Sequence, residues 1–244
     1  MDIDQKFDWR RSDRRLFLLA SAFFAIVIFI GFGPTYYFKL LSGSLPAGSI
    51  LIHTHGSIMT AWVMLFILQV FLIRTKRAKV HMNLGVLGIA LAILLVFIGF
   101  LTAVAAAKYG SASTPPGIPP LSFLIVPLTD ILVFIGLFGA AIYYRKRFAD
   151  HKRLMLLTVL NFLPPAIARI PIEPVRALGP IVFFGVPVLL AIGLVAYDTW
   201  RNRKLNRVFL IGSLILIASY PLRLAVSGTE TWIAFAGWLT SWAA

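Results

Sequence analysis

Long apolar runs alternate with short breaks of charged, glycine or proline residues along the whole chain. Seven of these runs approach the length of about 20 apolar residues that a helix needs to cross a bilayer. They cover residues 16–40, 50–73, 83–107, 121–144, 154–170, 180–200 and 208–227, and Pro164 and Pro165 interrupt the fifth. The pattern predicts an all-α, polytopic membrane protein with seven transmembrane helices.

The remaining segments complete the predicted organisation. Residues 1–15 are a mixed-charge tail, too charged for a signal peptide, so we expect the first run to be retained. Residues 16–228 form the predicted transmembrane domain. Residues 229–244 contain Trp232, Trp238 and Trp242 but are too short to span a bilayer, which predicts an interfacial C-terminal tail.

Composition mainly excludes other classes of protein. Of the 244 residues, 59% are hydrophobic and 13% are charged, whereas soluble domains carry about 25% charged residues. The net charge of +14 lies in short clusters between apolar runs, which is typical of membrane topology and not of a nucleic-acid-binding face. Because the chain has no cysteine, disulfides, thiolate metal sites and cysteine nucleophiles are excluded.

The positions of the basic residues predict the orientation. Of 23 lysines and arginines, 18 lie in the N-terminal tail or in the segments after the second, fourth and sixth runs. These four segments fall on one side of the membrane if there are seven spans. The positive-inside rule then places the N-terminus in the cytoplasm. We expect a multi-pass protein of the bacterial inner membrane, with the lipid bilayer as its first partner.

Polar residues inside the runs form two predicted groups. In the second run, His55, Met59, Trp62, Phe66 and Gln69 share one helical face, so we expect this face to contact protein. Sorted by depth, the polar residues give an outer cluster and a cytoplasmic histidine pair, His81 and His151. The outer cluster consists of His53, His55, Asp130, Arg169, Glu173, Tyr220 and Arg223.

The outer cluster has three interpretations. An ionisable group inside a membrane costs about 2.5–3.5 kcal/mol, so it usually faces a partner or a cavity. Asp130 and Arg169 form an interhelical ion pair in the first interpretation, with Arg223 extending to the interface. In the second, His55, Asp130, Arg169 and Arg223 converge in an outward-open pocket for a small anion or a lipid phosphate. The third is a transition-metal site built from His53, His55 and Asp130.

The histidine pair also has alternatives. His81 begins a face of small residues, namely Gly85, Gly88, Ala92, Gly99 and Ala103. Such a face is typical of close helix packing, but it also leaves room for a flat cofactor. Both histidines lie in basic segments, where an interfacial histidine that contacts lipid headgroups is common.

Two resemblances follow from these motifs. Residues 53–56, Trp62, Gln69, residues 77–85 and residues 151–155 resemble a group of bacterial multi-span membrane proteins with a His-x-His-Gly motif, for which no activity is established. A second set is similar to the di-haem b-type cytochromes of the ascorbate-dependent ferric-reductase family. It consists of His55-Gly56, Met59, Ala61-Trp62, His81 and Gly99.

The cytochrome resemblance implies a set of haem ligands. In that family, paired histidines from alternate helices of a four-helix core ligate one haem near each membrane face. The resemblance implies that His81 and His151 ligate a cytoplasmic-side haem b and that His55 is an outer ligand. The fourth run has no histidine and only Asp130 in its outer half, so an outer bis-histidine haem is not expected.

Two functional hypotheses result. The first is a haem- or metal-binding electron-transfer protein whose outer pocket, with Arg169, Glu173, Tyr220, Arg223, Trp62 and Gln69, takes a substrate or quinone. The second is a non-catalytic subunit of a larger membrane complex, or a binding protein that holds a lipid or small anion. The sequence contains no His-Glu-x-x-His motif, no phosphate-binding glycine loop and no lysine in the middle of the seventh run, as retinal binding would need.

Overall fold

The computed structural model describes residues 3–44, 50–111, 114–115 and 117–242, with side chains from residue 16 onward. All regular structure in this part of the chain is helical. Its elements are α1 (Ile3–Phe32), a π-helical turn (Gly33–Tyr37), α2 (Phe38–Leu41), α3 (Ile50–Arg74), α4 (Ala78–Tyr109), α5 (Pro120–Phe123), α6 (Ile125–Tyr143), α7 (Phe148–Leu160), α8 (Leu163–Ile167), α9 (Glu173–Ala177), α10 (Pro180–Asn202), α11 (Arg207–Val226) and α12 (Glu230–Ser241).

Within the described residues, six helical stretches are long and apolar enough to cross a membrane. They are Leu16–Leu41, Ile50–Arg74, Ala78–Tyr109, Pro120–Tyr143, Pro180–Asn202 and Arg207–Val226. The chain is therefore an all-helical protein whose apolar helices suit a lipid bilayer, as the hydrophobic pattern predicts. These six correspond to all the predicted runs except the fifth.

The fifth run forms two short helices, α7 and α8, separated at Asn161 and Phe162. Pro164 and Pro165 lie at the first positions of α8. Proline has no N–H and its ring clashes with the preceding turn, so a continuous helix is interrupted there. A proline at the first turn of a new helix costs little, because that N–H would be unpaired in any case.

The broken segment lies at the centre of the bundle. Leu157, Leu160 and Leu163 have no exposed surface, and the segment packs against α1, α6, α10 and α11. Its approach to α1 is close, because a Cβ placed on Gly31 would overlap the backbone carbonyl of Ala166. The segment that the sequence predicts as a span is thus the most enclosed part of the fold.

The segments around the bundle differ in part from the predictions. Residues 3–15 continue the helix of the first run; Met1 and Asp2 lie outside the described residues. Helix α4 begins at Ala78, five residues before the predicted start of the third run, so His81 lies in its first turn. In the C-terminal tail, α12 packs against α4 and α5, and the Trp232 indole N–H donates to the Leu121 carbonyl at 2.9 Å.

Side-chain contacts bring the basic segments to one end of the bundle. The rings of His81 and His151 join the starts of α4 and α7, with centroids 6.4 Å apart. Asn206 Nδ2 donates to Asp150 Oδ1 at 2.7 Å, which joins the starts of α11 and α7. Lys152 Nζ lies 5.2 Å from the ring centroid of Phe17, near the start of the first apolar stretch. We call this end, with residues 75–77, 144–147 and 203–206, the basic end.

Candidate functional site

The histidine pair is built from two matching helix starts at the basic end. His81 and His151 are each the fourth residue of their helix, and each follows an N-terminal capping arginine. Their backbone N–H groups donate to the carbonyls of Arg77 and Arg147, at 3.1 and 3.0 Å. The same Arg-x-x-x-His register on α4 and α7 therefore places the two imidazoles next to each other between the helices.

The tautomer of His151 is fixed by its neighbour. Its Nδ1 lies 2.8 Å from the Ala141 carbonyl oxygen, which accepts only, so Nδ1 carries the proton. In the neutral ring, the Nε2 lone pair is then available to a ligand. His81 differs, because its Nδ1 is buried and has no hydrogen-bond partner.

The pair has the separation that two ligands of one metal ion need. A metal–imidazole bond is about 2 Å long, so the ring centres of two histidines on one metal lie about 6 Å apart. The observed centroid separation is 6.4 Å, and the ring planes are 81° apart. The spacing of the two rings is thus compatible with a metal ion between them.

The outer cluster is built around a different ion pair from the predicted one. Arg223 Nη1 donates to Asp130 Oδ1 at 2.6 Å, and both side chains are buried. The predicted partner of Asp130, Arg169, is therefore wrong, as is the prediction that Arg223 extends to the interface. An arginine at this depth is stabilised more by a buried carboxylate than by a long reach to water.

Most donors of the Arg223 guanidinium are used within the fold. Its Nη2 donates to Ser219 Oγ at 2.9 Å and its Nε to the Ser219 carbonyl at 3.2 Å. The guanidinium also lies 4.9 Å from the ring centroid of Tyr220, which stacks on Phe184. The Arg223 guanidinium is thus bound by groups of the protein and is not available to an anionic ligand.

Two polar atoms beside the Asp130–Arg223 pair have no partner. Asn161 is fully buried and its Nδ2 donates to the Asp130 carbonyl at 2.9 Å, but its Oδ1 is unpaired. The Tyr220 hydroxyl is also buried without a partner. Nearby, a groove of about 390 Å³ runs between α6 and α11, and its exposed lining is mostly apolar, although Ser219 and Arg223 also border it. This part of the outer cluster suits a hydrocarbon chain better than a charged group.

The other predicted outer residues lie in separate places. Arg169 donates from Nη1 to the Pro165 carbonyl at 2.7 Å, and its guanidinium lies 4.8 Å from the ring centroid of Phe32. His55 is close enough to Arg169 for their charges to interact, whereas His53 lies beside the ring of Tyr36. Glu173 is exposed, 3.9 Å from Arg176.

No three-residue metal centre forms in the part of the chain that the structure describes. No group of three or more His, Cys, Asp or Glu side chains there converges on one point. His53, His55 and Asp130 do not form the predicted transition-metal site, because Asp130 faces Arg223 on α11. The two-histidine arrangement at the basic end is a separate case.

Trp62 and Gln69 belong to the interior and to the basic end, not to an outer pocket. Trp62 packs edge-on against Phe134 and Phe138, with centroids 5.1 and 5.4 Å away, and its indole N–H has no partner. Gln69 lies one helical turn before the end of α3 and contacts His81 across the hairpin. The face from His55 to Gln69 therefore runs along the length of the bundle, and its protein-facing orientation is confirmed at buried Trp62 and Phe66.

Sequence reasoning missed a second buried ion pair. Arg153 Nε and Nη2 donate to the two carboxylate oxygens of Asp198, at 2.9 and 2.5 Å, and Asn202 Nδ2 donates to the same carboxylate at 3.0 Å. Both charged side chains are buried. Asp198 near the end of an apolar run was a usable signal. Arg153 gave no such signal, because it lies in a basic segment whose positive charges the predicted membrane orientation already explains.

Comparisons with known proteins add no family. The chain matches no protein-family model, no curated protein and no solved structure.

Proposed function

We propose that this chain is a membrane redox protein that holds a haem iron, or another transition metal, between His81 and His151. The observation that carries the proposal is the facing pair itself, with centroids 6.4 Å apart and His151 Nε2 left free by the Ala141 hydrogen bond. The resemblance to di-haem b-type cytochromes implies the same two residues as haem ligands. When bound, a haem supplies one-electron transfer.

The residues of this chain would supply ligation and orientation. The Ala141 carbonyl holds the ring of His151 in one tautomer, and the packed starts of α4 and α7 fix where the two rings stand. The enclosed α7–α8 segment counts as a seventh, interrupted span in this proposal. With seven spans the basic end lies in the cytoplasm, and the histidine pair lies near the cytoplasmic face of the bacterial inner membrane.

An absorption spectrum of the purified protein tests the proposal. We expect a Soret band that shifts on reduction with dithionite. His81→Ala and His151→Ala should each abolish the bound haem, whereas His53→Ala, which removes a histidine at the other end of the second span, should leave the band unchanged. A colourless wild-type protein that also takes up no added haemin would overturn the proposal.

The rival proposal is a binding protein without a redox centre. The apolar groove between α6 and α11 favours a lipid or isoprenoid chain as its ligand. A small anion is disfavoured, since Arg223 is committed to Asp130 and Ser219. A colourless protein that co-purifies with a defined lipid, and loses it in Ala218→Trp, would support this alternative.

A further inference from the structure

The Gln69 side chain and the His81 ring lie next to each other and each carries an unpaired polar atom. The Gln69 side chain reaches from α3 to α4, where its Nε2 donates to the His81 carbonyl at 3.2 Å. The Oε1 of the same amide is buried without a partner, and so is His81 Nδ1. An acceptor and a potential donor are thus both unpaired next to one residue.

These two orphaned atoms are chemically complementary. Gln69 Oε1 accepts hydrogen bonds only, and Nδ1 of a neutral histidine donates when the proton is on that nitrogen. The amide is already anchored at residue 81 by its Nε2, so a side-chain rotation brings Oε1 toward the imidazole. Gly85 borders this amide, since a Cβ placed there would stand 3.9 Å from Gln69 Nε2.

The partner histidine shows what such a contact does. His151 Nδ1 donates to the Ala141 carbonyl, and this leaves Nε2 free. Histidines that ligate a metal nearly always donate their other ring N–H to a carbonyl, carboxylate or water, which fixes the tautomer and raises the basicity of the ligating nitrogen. His81 Nδ1 has no acceptor within hydrogen-bond distance, and the Gln69 side chain contacts the same residue at its backbone carbonyl.

The geometry points to Gln69 as the positioning residue of His81, with Oε1 accepting from Nδ1–H so that Nε2 faces His151. The inference rests on the proposed function for its consequence, which is the strength of metal or haem binding. The hydrogen bond itself is a property of the protein alone. It is therefore measured separately from the cofactor.

Two substitutions separate this role from a purely structural one. Gln69→Leu removes both the Nε2 donor and the Oε1 acceptor, whereas Gln69→Glu removes the donor and keeps an acceptor. If Gln69 only joins α3 to α4 through the His81 carbonyl, the two variants should behave alike. If it positions His81, the glutamate should rescue what the leucine loses.

Haemin titration of the detergent-solubilised protein gives the first readout. Loss of such an outer partner typically weakens metal binding about 10- to 100-fold, so we expect that loss in Gln69→Leu and binding within a few-fold of wild type in Gln69→Glu. A carboxylate acceptor makes His81 a stronger donor to ferric iron, so Gln69→Glu should also lower the midpoint potential. Leu68→Ala, on the exposed side of the same turn, is the matched control and should change neither quantity.

Nitrogen-15 NMR of histidine-labelled protein gives the second readout, without any cofactor. The chain has four histidines, and His81→Ala assigns the signal. We expect a protonated, hydrogen-bonded Nδ1 at His81 in wild type and Gln69→Glu, and its loss in Gln69→Leu. Equal behaviour of the two variants in either readout, or an Nδ1 signal in wild type unaffected by Gln69→Leu, would overturn the inference. A colourless wild type that takes up no added haemin but gives the expected NMR signals would overturn the proposed function alone.

Discussion

Arg223 on α11 and Asp130 on α6 are joined by a hydrogen bond of 2.6 Å although 93 positions separate them in the chain. Arg223 has no exposed side-chain surface and Asp130 has 7%. The pair therefore connects two long apolar helices through charges that lipid could not solvate. Asn161, from the break between α7 and α8, donates to the backbone of Asp130 and brings a third segment to the same point.

Removing one member of this pair should destabilise the fold. Asp130→Asn and Arg223→Gln each leave a buried partner without its counter-charge, which costs about 3–5 kcal/mol of unfolding free energy. We expect a clear fall in the thermal midpoint in detergent. Arg176→Gln is the control, since Arg176 and Glu173 are mostly exposed. A midpoint within error of wild type in both buried variants would contradict the expectation.

The double variant Asp130→Leu/Arg223→Met separates charge imbalance from loss of packing. Replacing a buried ion pair by apolar residues of similar size is often neutral or stabilising. We therefore expect the double variant to recover most of the stability that each single variant loses. A double variant as unstable as the sum of the two singles would show that the charges themselves hold α6 and α11 together.

Arg153 should not be replaceable by lysine. It donates from two nitrogens to both oxygens of Asp198, and a lysine ammonium does not reproduce this planar, bidentate contact. We expect Arg153→Lys to lower the unfolding free energy by about 1–3 kcal/mol, the usual effect of leaving a buried polar group incompletely paired. Arg147→Lys, at a side chain that is 67% exposed, should have no measurable effect in the same thermal unfolding assay.

Gly31 should tolerate no side chain. A Cβ there would overlap the backbone of Ala166, which cannot move as a flexible side chain can. Overpacking of this kind costs about 1–3 kcal/mol, so Gly31→Ala should lower the thermal midpoint. Gly136→Ala adds a methyl group where nothing lies within 4 Å, and it should be neutral or slightly stabilising. Equal effects of the two alanines would argue against the close contact between α1 and α8.

Because the chain has no cysteine, single cysteines can be introduced for accessibility mapping without first removing native ones. Single cysteines at Arg74, Lys146 and Lys204, all exposed at the basic end, should react with an impermeant maleimide only from the cytoplasmic side. Cysteines at Glu173 and Gly228, beyond α8 and α11, should react from the opposite side. Labelling of positions 74 and 146 from different sides would overturn both the seven-span proposal and the shared basic end.

The sequence predicts helices well here because membrane spans are set by length and apolarity. The exception is residues 154–170, which are predicted as one span. The sequence shows that Pro164 and Pro165 interrupt the helix there, but it does not show that four other helices enclose the segment. Depth along a helix also follows from sequence, at 1.5 Å per residue. This is why Asp130 and Arg223 were both placed in the outer cluster.

The pairing of these residues was beyond sequence reasoning. Asp130 had two arginines at similar depth, and the choice between Arg169 and Arg223 depends on how α6, α8 and α11 rotate about their axes. Such rotation is determined by packing over the whole interface. The histidine pair was easier to anticipate, because His81 and His151 each lie in a basic segment at the foot of an apolar run and therefore at a similar depth.

The interruption at Pro164 and Pro165 has a consequence for biogenesis. A stretch whose backbone carbonyls lack helical partners is poorly suited to hydrocarbon until other protein surrounds it. Here the surrounding surfaces include α10 and α11, which the ribosome makes later. The nascent chain must therefore keep residues 148–167 at the translocon, or against α1 and α6, until synthesis has passed residue 226. A chain truncated before α10 should accordingly be a substrate for membrane quality-control proteases.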